Sequence, residues 1–191
     1  MQKKYLVQIL AVVFFFSAGN VGANTTILNF KKLNENMYRG GSPTGDGVDQ
    51  LHALGIRTIL DLQTTDGVIE AEKEKTANYG MNFYSVELPA LMLRPSEERI
   101  QKILSILSDA RNFPIYIHCR HGEDRTGLVV GLYRALLQKW PAEIAYSEML
   151  ANNFHPQWMK GLDCTFREMT GMQVPHVCSL IPVWTDDDDL L

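Results

Sequence analysis

The chain is 191 residues long and 46% hydrophobic, and it carries 18 basic against 22 acidic side chains for a formal charge of −4 at neutral pH. Length and apolar content fit one globular domain with a sizeable core. The acidic balance argues against a general nucleic-acid binder.

At the N-terminus Lys3 and Lys4 precede an apolar run over residues 5–16, and small residues follow as far as Val21-Gly22-Ala23. That is the pattern of a secretory signal peptide, with the mature chain beginning at Asn24. An uncleaved anchor is the rival reading, but a spanning helix wants about 20 apolar residues. The expectation is export, to the periplasm or the medium, with no stable membrane insertion after cleavage. The chain then divides into a signal peptide (1–23), a domain (24–185) and a solvated acidic tail (186–191) that holds Asp186 to Asp189. Loss of residues 1–23 removes two lysines and no acid, so the charge moves from −4 to −6.

Residues 26–33 read as an edge strand that runs into a Gly/Pro loop, Asn36-Met37-Tyr38-Arg39-Gly40-Gly41-Ser42-Pro43. A short helix follows over 48–54, stopped by Gly55, and then a β-branched strand over 56–62. The next helix, 68–79, ends at Gly80. Its Glu70, Glu72, Lys73, Glu74 and Lys75 read as a solvated face. A strand over 81–88 and a loop over 89–95 lead to a helix capped by Ser96, with Ile100, Ile103, Leu104 and Leu107 on its apolar side.

Residues 115–118 alternate as a buried strand, and Leu128, Val129, Leu132, Ala135 and Leu136 mark a helix. Pro141 opens another helix that runs through Leu150 and ends at residues 152–156. Periodicity is poor over 158–184 apart from a helix near 163–170. Strands alternating with helices call for an α/β architecture with a mostly parallel central sheet. In such sheets ligands sit beyond the carboxyl ends of the strands, which is where Cys119 falls.

Between that strand and helix lies His118-Cys119-Arg120-His121-Gly122-Glu123-Asp124-Arg125-Thr126-Gly127. A tight loop entering a helix N-terminus converges its N–H groups on one point and favours negative charge there. A cysteine so placed, beside a fixed guanidinium, should ionise well below the free value of about 8.5. Neither other cysteine has an arginine six positions on: Thr170 follows Cys164 and Trp184 follows Cys178. If Cys119 is the reactive thiol, Cys164 and Cys178 remain as a possible disulfide, which sequence leaves open.

These residues suit phosphate monoester hydrolysis. Cys119 would attack phosphorus, Arg125 would grip two phosphoryl oxygens, and Thr126 would donate to the sulfur. His118 reads as an orienter of the loop. The five histidines show no repeated ligand spacing, so no metal or cofactor is expected.

The loop resembles the signature of the cysteine-dependent protein tyrosine phosphatases, and its Arg-Thr-Gly ending resembles the dual-specificity branch. Tyr38-Arg39-Gly40-Gly41-Ser42-Pro43 resembles an early motif of bacterial and atypical dual-specificity phosphatases, which implies that Arg39 lies near the catalytic mouth. The substrate-binding set is then Arg120, His121, Gly122, Glu123 and Arg39. Most of the family carries an acidic Asp on a separate loop, but residues 86–95 contain no Asp and offer only Glu87. Asp124 sits where myotubularin-like lipid phosphatases and some bacterial tyrosine phosphatases carry an acid. It is therefore the first candidate for general acid, ahead of Glu87 and Glu123; the alternative is a carboxylate salt-bridged to a nearby arginine.

The expected substrate is a phosphorylated protein or a small phosphoester, acted on by a monomer. An inositol-polyphosphate or phosphoinositide phosphatase is the alternative, with a rhodanese-like sulfurtransferase or a silent phosphate-binding module behind it.

Overall fold

The structure is a computed structural model describing residues 26–64 and 66–185. The expected signal peptide and acidic tail lie outside the described residues. In chain order the elements are β1 (Lys31–Asn34), β2 (Met37–Gly40), α1 (Gly47–Ala53), β3 (Thr58–Asp61), α2 (Asp66–Asn78), β4 (Asn82–Ser85), β5 (Arg94–Pro95), α3 (Glu97–Ser108), β6 (Ile115–His118), α4 (Asp124–Leu132), α5 (Ala142–Ala151), α6 (Lys160–Thr170) and β7 (Val183–Trp184).

The main sheet has the order β1-β2-β6-β3-β4. Only β1 runs antiparallel to its neighbour; β2, β6, β3 and β4 are parallel. Because the side-chain period of a strand is two, each strand feeds both faces. Met37, Leu60, Ile115 and Ile117 join the core under α3, α4, α5 and α6. Tyr38, Ile59 and Tyr116 point the other way, to Val48 and Leu51 of α1. Burial on both faces is the usual state of parallel strands, and it leaves β6 ending in the middle of the molecule.

Three expectations change. Residues 37–40 are a strand beside β6, every one of them buried; an arginine and a pair of glycines hid it. The 26–33 strand shrinks to β1, which starts at Lys31. Glu72, taken as part of a solvated face, is buried, because it falls on the inward stripe of α2 with Ile69 and Thr76.

The weakly periodic C-terminal segment is held by two features. Cys164 and Cys178 are disulfide-bonded, with their Cα atoms 5.5 Å apart, and β7 pairs in parallel with β5 as a second small sheet. Among the described residues no helix is long and apolar enough to cross a membrane.

Candidate active site

The signature loop leaves β6 at His118 and enters α4 at Asp124. Its outer side is gripped by other parts of the chain. Ser42 N–H donates to the Arg120 carbonyl at 3.2 Å, Asn29 Nδ2 to the His121 carbonyl at 2.9 Å, and Arg39 Nη2 to the Gly122 carbonyl at 2.7 Å and the Glu123 carbonyl at 3.3 Å. In a trans peptide the next N–H points opposite to the carbonyl. Carbonyls turned outward in succession therefore turn the N–H groups of residues 121–124 inward, as an anion cradle requires.

Gly122 makes this winding possible. Its φ is +76°, and a Cβ there would lie 2.2 Å from the Gly40 carbonyl carbon. The loop and the Gly40-Gly41 backbone touch directly, and Tyr116 pins that backbone from below through its hydroxyl, 2.6 Å from the Gly41 carbonyl oxygen.

Cys119 sits at the base, 3% exposed. Burial works against its thiolate, but the Arg125 charge, the Thr126 hydroxyl and N–H and the Gly122 N–H outweigh it, so the thiol is held below its ordinary range. The Thr126 hydroxyl is buried and has no other partner among the described residues. Arg125 is steadied by the Leu62 carbonyl at the end of β3, 3.3 Å from Nη1.

The side chains of Arg120 and His121 are exposed at the rim. Glu123 Oε1 is taken by Asn29 and Asn153, each at 3.2 Å, so its side chain ties the loop to its surroundings. Arg39 requires a correction. At 1% exposure it is not at the mouth; it lies behind the loop and holds the Gly122 and Glu123 carbonyls.

Asp124 is paired, though with a histidine where an arginine was the expected alternative. Its Oδ1 accepts the His155 backbone N–H at 2.7 Å and lies 3.1 Å from His155 Nδ1. His155 escaped the sequence reading because residues 152–156 showed only a helix ending, 31 positions from Asp124. Its ring stacks on Trp158 at 5.0 Å, and Trp158 is 62% exposed. Glu87 lines a cleft with Ile69, Glu70, Lys73 and Lys102, and no signature-loop residue borders it.

Two groups among the described residues bring three ligand-type atoms within 4.8 Å of one another: Asp61, Glu72 and His118, and Glu123, Asp124 and His155. In each the histidine is already paired with a carboxylate, Glu72 at 2.9 Å and Asp124 at 3.1 Å.

A model described as the tyrosine phosphatase family matches residues 25–172. The inositol diphosphatase DSP2 of Oryza sativa subsp. japonica is 32% identical over 127 residues, which cover 63% of this chain and 60% of that protein. The tyrosine-protein phosphatase-like protein OCA2 of Saccharomyces cerevisiae is 29% identical over 155 residues, 78% of each. The dual specificity protein phosphatase TpbA of Pseudomonas aeruginosa is 27% identical, with 66% of this chain and 56% of that protein covered. The chain thus spans less than two thirds of the rice and Pseudomonas proteins.

The crystal structure of TpbA superposes with a TM-score of 0.61 at 20% identity, over 81% of this chain and 91% of that one. The core catalytic domain of the PP-IP phosphatase SIW14 from S. cerevisiae gives 0.57 at 23% identity, over 86% and 89%. Both share the α/β fold. The family match contains the sheet, the cysteine loop and the helix behind it, and the chain belongs to the tyrosine phosphatase family, within the superfamily of cysteine-dependent tyrosine and dual-specificity phosphatases.

Proposed function

We propose that the chain hydrolyses phosphate monoesters through a phosphocysteine intermediate and that its substrates are phosphotyrosyl or other phosphorylated proteins. The observation that carries this is a buried thiol, held below its ordinary range, at the base of inward-turned N–H groups beside Arg125. The Cys119 thiolate attacks phosphorus in line. Arg125 makes two-pronged contact with the phosphoryl oxygens as charge builds on them. The leaving oxygen takes a proton from Asp124, and water then cleaves the P–S bond, with Thr126 stabilising the departing thiolate.

A protein substrate is favoured by the rim. Trp158, Leu91 and Met92 are 62%, 58% and 49% exposed, and the Leu91 carbonyl accepts the Gly161 N–H at 3.1 Å, which brings that loop to the start of α6. Apolar and acidic groups suit an aryl phosphate on a peptide better than a polyanionic ring. Relatives named inositol diphosphatases, together with the exposed Arg120 and His121, keep the inositol-polyphosphate reading as the alternative. Membership of the family sets aside the rhodanese-like one.

The test is a panel of phosphotyrosyl and phosphoseryl peptides and inositol phosphates. Turnover of phosphotyrosyl peptides, abolished in Cys119→Ser, is expected; preference for inositol diphosphates would overturn the substrate assignment. We also propose that the protein is exported, as the buried Cys164–Cys178 disulfide favours an oxidising compartment. Mass spectrometry of the native protein should find an N-terminus at Asn24, and an intact Met1 would refute cleavage.

A further inference from the structure

Directly behind the nucleophile lies a group the proposed reaction does not use. His118 is fully buried. Its Nε2 lies 2.9 Å from Glu72 Oε1 of α2, and its Nδ1 lies 3.7 Å from Asp61 Oδ1 at the end of β3. Glu72 is 7% exposed and Asp61 is fully buried. Asp61 Oδ1 also accepts the Gln63 N–H at 2.9 Å; among the described residues Asp61 Oδ2, both Glu72 oxygens and both His118 ring nitrogens make no hydrogen bond of good geometry, so Glu72 meets His118 as a close ion pair.

A neutral imidazole carries one N–H, so one of its nitrogens would turn a lone pair on a carboxylate in a place that water does not reach. An imidazolium instead sets positive charge against both, with Glu72 at ion-pair distance and Asp61 farther off at 3.7 Å. Tyr116 stacks on the ring at 5.5 Å, and the Cys119 thiol is the other titratable group that acts on it. Arg39, on the adjoining strand, and Arg125 supply the other positive charges around the sulfur.

We propose that Glu72 is a positioning residue for the nucleophile: from α2 it keeps a proton on His118 and so sets an imidazolium behind Cys119. The inference rests on Cys119 being the nucleophile. Burial by itself pushes His118 down, but Glu72, with Asp61 and Cys119, more than offsets it, and the net direction is up. Burial pushes the Glu72 carboxyl up and His118 pulls it only part of the way back, so its net direction is also up.

The sign of one change separates this role from its rivals. If Glu72 acts by holding the His118 proton, Glu72→Gln lets His118 become neutral and takes a cation from beside the thiolate, so the thiol pKa rises. If Glu72 is merely one more anion near Cys119, its neutralisation lowers that pKa. If it only fills space, nothing moves.

The experiment is the pH dependence of Cys119 alkylation by iodoacetamide in the full chain, which reads the thiol without turnover. Glu72→Gln should raise its pKa by about one unit, so that alkylation below that pKa is about tenfold slower, and Glu72→Asp should recover part of the loss. An unchanged or lowered pKa in Glu72→Gln overturns the proposal, as does a wild-type profile that shifts on chelation, which would put a metal ion among the three side chains. An ordinary pKa of about 8.5 in the wild type would instead defeat the reading of Cys119. Should Glu72→Gln fail to fold, the ring nitrogens of His118 in the wild type decide by NMR: an imidazolium at neutral pH is expected, and a neutral ring there refutes the role.

Discussion

Arg39→Met removes the guanidinium behind the signature loop and keeps a stem that can fill much of its space. Two hydrogen bonds go, at 2.7 Å and 3.3 Å, and a bond from a charged donor contributes about 1.5–3 kcal/mol, the longer one less. Against them stand Nη1, buried without a partner among the described residues, and the burial that pushes the Arg39 pKa down. An unsatisfied buried donor costs about 1–3 kcal/mol, so the net loss of stability should be about 2 kcal/mol. The catalytic loss should be larger than that figure suggests, because the Gly122 and Glu123 carbonyls lose the group that turns them outward, and a misplacement of about 1 Å can cost about 10²-fold. Urea unfolding and kcat/KM measured well below the melting temperature separate the two effects. A variant with wild-type kcat/KM would refute the claim that Arg39 shapes the cradle.

Gly122→Ala should fare worse. Beyond the cost of a left-handed backbone, about 1–2 kcal/mol, its Cβ meets the Gly40 backbone, so lost phosphate-analogue binding is expected in calorimetry. Asp124→Asn should slow esters with poor leaving groups by about 10²–10⁴-fold and good ones far less, and His155→Asn should act in the same direction with a smaller effect. A leaving-group signature seen in Glu87→Gln, and absent in Asp124→Asn, would move the acid to the outer loop. Replacing both Cys164 and Cys178 by alanine opens a loop with a sequence separation of 14 and should cost about 3 kcal/mol in denaturant unfolding, while kcat stays close to the wild-type value.

The loop from Cys119 to Gly127 was legible because its chemistry is local: thiol, glycine, guanidinium and hydroxyl lie within nine residues, between a period-two strand and a period-3.6 helix. Strands β3, β4 and β6 were legible for the same reason of periodicity. What escaped depended on partners far along the chain. β2 reads as a loop until the signature-loop carbonyls are there to satisfy Arg39 and the loop is there to press on Gly40. Glu72 cannot be told from Glu70 or Glu74 by charge alone; its place on one stripe with Ile69 and Thr76 is a weak signal in a helix so rich in charge, and the contact with His118 appears only in the fold. His155 meets Asp124 through the turn between α5 and α6, and β5 and β7, two residues each, are too short to carry a period.

The central claim is that a phosphoryl group passes through the Cys119 sulfur. Rapid acid quench after mixing with an aryl phosphate, followed by peptide mass spectrometry, should find a phosphoryl adduct on the peptide containing Cys119 within the first turnover. Turnover without any such adduct, persisting in Cys119→Ser, would contradict the account.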